Sequence, residues 1–126
     1  MAFQISKGMD FLTQRNIYHG DLAARNVLLT DELVAKVSDF GLSRRQYQDF
    51  SMFSLIEDQD KSITLPVKWL ALETLNYGQV VPEKSDVWSY GVLMWELFQL
   101  GIDPYRPGKF IYQEIFHKHL LQRLYF

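Results

Sequence analysis

The chain of 126 residues contains no cysteine, and neither acidic nor basic residues predominate in it. The absence of cysteine excludes a disulfide framework and fits a reducing compartment. The 13 lysine and arginine residues nearly balance 15 aspartate and glutamate residues, which gives a formal net charge of -2. That balance gives no reason to expect a basic surface for nucleic acid or anionic membranes. We therefore expect neither as a partner.

A long hydrophobic run is also missing. The most hydrophobic stretch, residues 87–100, is shorter than the roughly 20 residues that cross a bilayer, and it contains Glu96. Its apolar residues lie on every side of a predicted helix, which is typical of a helix buried inside protein. Ser85 is expected to cap the start of this helix, and Gly101 is expected to end it. The sequence therefore predicts a buried helix and no membrane span.

Two short segments carry polar residues suited to phosphoryl transfer. Residues 19–26 read His-Gly-Asp-Leu-Ala-Ala-Arg-Asn, and residues 39–41 read Asp-Phe-Gly. In a phosphotransferase site a carboxylate such as Asp21 accepts a hydrogen bond from the attacking hydroxyl, while oxygens of Asn26 and Asp39 hold magnesium against the nucleotide phosphates. Magnesium prefers oxygen ligands and takes several of them from phosphate and water. We therefore expect the two segments to converge on one metal and phosphate cluster.

At these residues the chain resembles the catalytic lobe of eukaryotic protein kinases, and of tyrosine kinases in particular. Ala-Ala-Arg at residues 23–25 is similar to the receptor tyrosine kinase form of the catalytic loop. Leu-Pro-Val-Lys-Trp at 65–69 is similar to the segment that cradles the acceptor tyrosine. Ala-Leu-Glu at 71–73 and Ser-Asp-Val-Trp-Ser-Tyr-Gly at 85–91 stand in the places of two further family motifs. Five collinear motifs are far more specific than one tripeptide.

The resemblance implies a role for each matching residue. The implied groups are catalytic Asp21, Arg25 and Asn26; nucleotide-binding Asn26, Leu28 and Asp39; and substrate-binding Pro66, Val67, Lys68 and Trp69. Asn26 and Asp39 would hold the metal, and Leu28 would lie under the adenine ring. Arg25 would stand near the substrate phenol. His19 is expected to be a packed structural histidine, and Asp86 is expected to hold the catalytic-loop backbone by hydrogen bonds.

The implied fold class is α+β and mainly α, a helical kinase lobe with short β-hairpins at the cleft. Residues 2–12 predict a helix that places Ala2, Ile5, Met9 and Leu12 on one face. Residues 27–29 and 34–37 predict two strands around a turn at 30–32.

The rest of the chain predicts a loop and an incomplete domain. Residues 42–64 have the polar and aromatic composition of a mobile activation loop, in which Tyr47 is a candidate phosphorylation site. No Gly-x-Gly-x-x-Gly loop and no Val-Ala-x-Lys occur in the sequence. We therefore expect residues 1–126 to be a partial kinase domain that lacks the nucleotide-binding lobe and the final helices.

Gly20 departs from the kinase pattern. Kinases usually have an arginine there, which docks the phosphate of a phosphorylated activation loop. We therefore expect less dependence on loop phosphorylation than in relatives, and we expect Gly20→Arg to leave basal activity nearly unchanged. Gly20 also fits a rival family, the aminoglycoside and other small-molecule phosphotransferases, whose loop reads His-Gly-Asp. That family does not explain the motifs at 23–25, 65–69 and 85–91.

The function implied by the resemblance is that of a receptor-type protein tyrosine kinase at the cytoplasmic side of the plasma membrane. The pattern is nearest to receptors for platelet-derived and vascular endothelial growth factors. Such an enzyme uses ATP and Mg²⁺, phosphorylates tyrosines of protein substrates and has a second receptor chain as a candidate partner. The alternative is a pseudokinase or truncated product that binds partners without catalysis. The presence of Asp21, Asn26 and Asp39 favours an active site in a complete protein.

Overall fold

The computed structural model describes residues 1–45, 66–77 and 82–105, so Tyr47 and most of the predicted activation loop lie outside the described residues. The elements are α1 (Ala2–Thr13), β1 (Ile17–Tyr18), β2 (Val27–Leu29), β3 (Ala35–Val37), β4 (Arg44–Arg45), α2 (Leu72–Tyr77) and α3 (Pro82–Phe98). Short 3-10 turns cover Ala24–Asn26 and Val67–Trp69. The described part of the chain is thus mainly helical, with two small sheets of two strands each.

Helix α1 agrees with its prediction except at its first residue. Ile5 and Leu12 are buried and Met9 packs at the edge of the core. Ala2 is exposed, so the buried part of the predicted face begins at Ile5. The carbonyl of Ala2 accepts a hydrogen bond of 3.1 Å from the Tyr90 hydroxyl. The side chain in the first turn is therefore left at the surface.

Strands β2 and β3 form the predicted hairpin, with the second strand beginning at Ala35 instead of residue 34. They pair antiparallel, with Val27 opposite Val37 and Leu29 opposite Ala35. In the turn, the hydroxyl of Thr30 accepts a hydrogen bond from the Val34 N–H at 3.2 Å. The hairpin therefore returns the chain to Ser38, whose N–H donates to the carbonyl of Asn26 at 2.8 Å.

The core lies where α1, β3 and α3 meet the segment at residues 19–26, called here the catalytic loop after its resemblance to that segment of kinases. Its buried members are Ile5, Leu22, Ala35 and Leu93. Helix α1 approaches β3 closely at Gly8, since a Cβ atom there would lie 3.3 Å from Cγ2 of Val37. This packing fixes the catalytic loop, which contributes Leu22, between the two helices.

The expectation that α3 is buried on all sides is wrong for this chain. Val92 and Leu93 are buried, but Val87 is 67% exposed and Phe98 is 81% exposed. The described residues cover one side of the helix, and polar side chains fill much of that side: Ser85, Asp86, Ser89 and Glu96 are all buried. Among residues 1–45, 66–77 and 82–105, no helix combines the length and the apolar character needed to cross a bilayer.

Ser85 does not cap α3, because the helix begins at Pro82. Proline suits a first helical turn, where its missing N–H group needs no partner. Ser85 instead lies inside the helix, fully buried, with its hydroxyl 3.5 Å from the hydroxyl of Thr74 in α2. Its role is to connect two helices.

The other end of α3 follows the prediction that Gly101 terminates the helix. The Gly101 N–H donates to the carbonyl of Glu96 at 2.8 Å, and the Leu100 N–H donates to the carbonyl of Leu97 at 3.3 Å. These two bonds form a Schellman motif. In this motif the residue that follows the C-cap is usually a glycine in the left-handed conformation. Leu100 occupies that position, with φ of 55°, and is 94% exposed.

The pairing of β1 with β4 was not predicted. Ile17 lies opposite Arg45 and Tyr18 lies opposite Arg44. Strands of two residues are too short to show an alternating pattern in the sequence. The pair nevertheless matters for the site, because it holds the chain on both sides of the catalytic segments.

Candidate active site

Asp21, Arg25 and Asn26 contact one another directly in the catalytic loop. Both carboxylate oxygens of Asp21 are engaged: Oδ1 accepts from the Arg25 guanidinium, and Oδ2 accepts from the Asn26 amide at 2.9 Å. The same amide also donates to the Asp21 carbonyl at 2.7 Å. A carboxylate oxygen has more than one acceptor site, so a substrate hydroxyl could still bind to Asp21. These contacts fix the direction of the carboxylate.

The oxygen donors expected for magnesium lie on adjoining segments. Because the Asn26 amide nitrogen donates to Asp21, its amide oxygen is the side-chain atom left for a metal. The carbonyl of Asn26 accepts from both the N–H and the hydroxyl of Ser38, at 2.8 and 2.9 Å, which places Asp39 one residue from this contact. Asp39 is exposed and its Oδ1 accepts from the Gly41 N–H at 3.2 Å.

This donor set fits magnesium. Magnesium commonly binds through one or two protein side chains and completes its shell with phosphate and water. Within the described part of the chain, no group of three or more His, Cys, Asp or Glu side chains could hold a metal by itself. Asn26 and Asp39 therefore suit an ion that arrives with nucleotide phosphates better than a permanent metal site.

His19 is a packed histidine, as the sequence analysis expected. Its ring is fully buried and lies 5.1 Å from the ring of Phe40, measured between centroids. Nδ1 accepts a hydrogen bond from the Asp21 N–H at 3.2 Å, which assigns the ring proton to Nε2, 3.0 Å from the carbonyl of Ser38. His19 therefore connects the catalytic loop to the Asp-Phe-Gly segment.

Asp86 of α3 holds the start of the catalytic loop, as expected. Its Oδ2 accepts from the His19 N–H at 2.8 Å, and its Oδ1 accepts from the Gly20 N–H at 3.2 Å. Burial raises the pKa of this carboxyl, and the two N–H groups partly offset that effect. Burial, followed by the charges of Asp86 and Asp21, also raises the pKa of Tyr18 well above its usual range. Tyr18 and Asp86 are both buried on this side of the site.

The conformation of Gly20 changes the interpretation of its departure from the kinase pattern. Its φ is 81°, a region that residues with side chains rarely adopt, and a Cβ atom would lie 3.0 Å from both the Leu42 carbonyl oxygen and Cε1 of Tyr18. Any side chain at this position is therefore strained. The effect of Gly20→Arg on basal activity stays a prediction, and on this backbone the substitution would also strain the loop.

The predicted acceptor segment lies beside the catalytic loop. Pro66 is buried and precedes the 3-10 turn formed by Val67–Trp69. The Arg25 guanidinium carbon lies 4.2 Å from the centroid of the Trp69 ring, in a cation–π arrangement. Arg25 thus touches both Asp21 and Trp69. The ammonium group of Lys68 is paired with Asp103, on the segment that follows α3.

Glu96 is a site residue that was not predicted from the sequence. It is 5% exposed, and its Oε2 accepts hydrogen bonds from the Ala24 backbone N–H at 2.9 Å and from the Trp69 indole N–H at 2.8 Å. The signal was present, since a glutamate in an otherwise apolar helix must find partners if it is buried.

The structure thus brings Asp21, Arg25, Asn26 and Trp69 into one contact network. Asp39 lies beside that network, and Leu28 follows it on β2 with its side chain 59% exposed. The arrangement unites a carboxylate that can accept a proton, two oxygen donors for a metal, and a cation held over an aromatic ring. These are the groups needed to orient a hydroxyl against a metal-bound phosphate.

Sequence comparisons agree with this chemistry. The sequence model of the protein tyrosine and serine/threonine kinase family matches residues 1–123. The chain therefore belongs to the protein kinase family.

Its relatives include receptor tyrosine kinases. The chain is 48% identical to vascular endothelial growth factor receptor 2 of Danio rerio over 107 residues, which are 85% of this chain and 7% of that receptor. It is 47% identical over 106 residues to the tyrosine kinase receptor Cad96Ca of Drosophila melanogaster, 84% of this chain and 13% of the relative. The mouse vascular endothelial growth factor receptor 2 is 47% identical over 113 residues, 90% of this chain and 8% of the receptor. The chain thus spans only a small part of the relatives it matches.

Proposed function

We propose that this chain is the catalytic and substrate-binding part of a receptor-type protein tyrosine kinase, which transfers the γ-phosphoryl group of ATP to tyrosine hydroxyls. Residues 1–126 would form a partial kinase domain, the helical lobe that lies below the nucleotide. The observation that carries the proposal is the position of Arg25, whose guanidinium contacts both the Asp21 carboxylate and the Trp69 ring. Trp69 belongs to the segment that resembles the tyrosine-acceptor floor, so one residue links the proton acceptor to that floor.

The proposed mechanism follows from these contacts. Asp21 accepts a hydrogen bond from the tyrosine hydroxyl and takes its proton as the bond from the phenol oxygen to the γ-phosphorus forms, while the bond from that phosphorus to the bridging oxygen breaks and ADP leaves. The Asn26 amide holds the Asp21 carboxylate in one direction, and Arg25 supplies positive charge beside the phenol. Bound Mg²⁺ would neutralise the charge of the phosphates, and Asn26 and Asp39 are the residues that would hold it. Leu28 would pack under the adenine ring, and Pro66, Val67, Lys68 and Trp69 would support the acceptor side chain.

The setting of the enzyme is also part of the proposal. The identity to growth factor receptors supports protein substrates with acceptor tyrosines and a second receptor chain as partner. The same identity supports a location at the cytoplasmic side of the plasma membrane, where a receptor's kinase domain acts.

The test is phosphorylation by the full-length gene product that carries this sequence. It should label a tyrosine peptide in the presence of Mg²⁺ and ATP, and it should not label the same peptide with phenylalanine in place of tyrosine. Asp21→Asn should reduce the rate by about a hundredfold or more, the usual loss when a proton acceptor is removed. Asp31→Asn, an exposed residue in the hairpin turn, is the matched control and should retain the wild-type rate.

Absence of phosphate transfer by the wild-type protein, combined with binding of partner proteins that survives Asp21→Asn, would overturn the proposal. That result would favour the alternative of a non-catalytic module.

A further inference from the structure

Glu96 joins two parts of the site through a single oxygen atom. Its Oε2 accepts the Ala24 backbone N–H at 2.9 Å and the Trp69 indole N–H at 2.8 Å. Ala24 belongs to the catalytic loop. Trp69 belongs to the acceptor segment and lies 27 positions before Glu96 in the sequence. An atom shared by both donors fixes the distance between these two segments.

Arg25 connects the catalytic loop to the acceptor segment by a second contact. Arg25 follows Ala24 in the chain, and its guanidinium carbon lies 4.2 Å from the Trp69 ring centroid. Its other contact is the Asp21 carboxylate. Movement of Trp69 therefore displaces the cation, and movement of the cation removes one of the groups that direct Asp21.

Burial makes this arrangement sensitive to the loss of Glu96. The side chain lies in α3 with its exposed fraction at 5%, so water cannot readily replace it as acceptor. Removing it would leave two N–H donors without their partner, and buried donors without partners are strongly disfavoured. Both segments would then have to move to find new acceptors.

We propose that Glu96 is a positioning residue for the acceptor tyrosine: it sets the Trp69 ring, and through that ring Arg25, at the correct distance from Asp21. The inference rests on the proposed function and deepens it. The hydrogen bonds of Glu96 go to Ala24 and Trp69 and, among the described residues, not to the side chains of Asn26 or Asp39. We therefore expect its loss to affect the acceptor more than the nucleotide. Hydrogen bonds to a charged acceptor are stronger than those to a neutral one, which is why a carboxylate suits this position.

The test measures binding, which needs no turnover. The full-length gene product is titrated with a tyrosine peptide and, separately, with Mg²⁺ and ADP. We expect Glu96→Leu to raise the Kd of the peptide by about tenfold or more, the factor that corresponds to losing a hydrogen bond to a charged group. The Kd of the nucleotide should change less than about twofold. Glu96→Gln keeps one oxygen acceptor and should restore most of the affinity. Glu32→Leu, at an exposed residue of the hairpin turn, is the control.

A second variant tests the same contact from the other side. Trp69→Phe removes the indole N–H and keeps an aromatic ring for Arg25, so it should weaken the peptide severalfold. In the protein with both substitutions, Trp69→Phe and Glu96→Leu, the combined effect should be smaller than the product of the single effects, because both remove one hydrogen bond. If Glu96→Leu does not fold, Trp69→Phe by itself still tests the contact, because it removes the same hydrogen bond from the other side.

Equal weakening of peptide and nucleotide, unchanged peptide binding, or independent effects in the double variant would each overturn the inference. Failure of the proposed function gives a different result. A wild-type protein that binds the tyrosine peptide without phosphorylating it refutes the kinase activity, while the dependence of peptide binding on Glu96 is still measured.

Discussion

Replacing Asp86 should loosen the start of the catalytic loop and lower the stability of the chain by a measurable amount. Asp86 provides separate oxygen acceptors for the N–H groups of His19 and Gly20. Asp86→Asn keeps one oxygen acceptor for one of these N–H groups and places an NH₂ group opposite the other. Leaving one such donor unsatisfied costs about 1–3 kcal/mol. Asp86→Ala removes both acceptors and should cost more, although part of the loss is offset because the buried charge disappears as well.

The assay is urea unfolding of the chain at pH 7, followed by tryptophan fluorescence and circular dichroism. A chain of this size loses roughly 1–3 kcal/mol of stability per molar urea. The midpoint should therefore fall by about 1 M for Asp86→Asn, with an unchanged slope. Amide hydrogen exchange should accelerate at His19 and Gly20 before it accelerates in α1. Asp31→Asn makes the same chemical change at an exposed residue and should stay within about 0.5 kcal/mol of wild type.

An Asp86→Asn variant that unfolds at the wild-type midpoint with the wild-type slope would contradict this prediction. In that case the two N–H groups find other acceptors, and the catalytic loop does not depend on α3 for its position.

Two further predictions concern backbone conformation. Gly20→Ala should lower stability by about 1–3 kcal/mol, because φ is 81° and the added Cβ would lie 3.0 Å from the Leu42 carbonyl oxygen. Thermal unfolding measures this loss, and a stability equal to wild type would show that the backbone is not strained by the added Cβ. Leu100→Gly should raise stability by about 1 kcal/mol, since Leu100 has φ of 55° at a helix end and buries almost none of its side chain. A lower melting temperature for this variant would show that the exposed leucine contributes packing.

The catalytic loop and the hairpin could be predicted because their information is local. The motif at 19–26 contains its own hydrogen-bond partners, and Asp21, Arg25 and Asn26 contact one another within a single turn. The hairpin at β2 and β3 depends on an apolar pattern and a polar turn, both visible in the sequence. The role of Asp86 was also expected, but from resemblance to kinases and not from any local pattern.

The errors arose where a property depends on distant parts of the chain. An all-round apolar helix predicts burial, yet the described residues cover only one side of α3, so Val87 and Phe98 remain exposed. Gly20 appeared to be a lost phosphate anchor, and its positive φ is a property of the folded loop that no sequence motif displays. Glu96 was overlooked because its partners, Ala24 and Trp69, lie far away in the sequence.

Two buried carboxylates of α3 hold two points of the catalytic loop at a fixed separation. Asp86 fixes the beginning of the catalytic loop and Glu96 fixes its middle, and at the rise of an α-helix they stand about 15 Å apart along one rigid axis. Removing one residue between them would rotate Glu96 by about 100° relative to Asp86, so both anchors could no longer face the loop together. Insertions and deletions should therefore be tolerated in the hairpin turn at 30–34 and not between Asp86 and Glu96. The geometry of the site therefore depends on the number of residues between Asp86 and Glu96 as well as on the identity of these two residues.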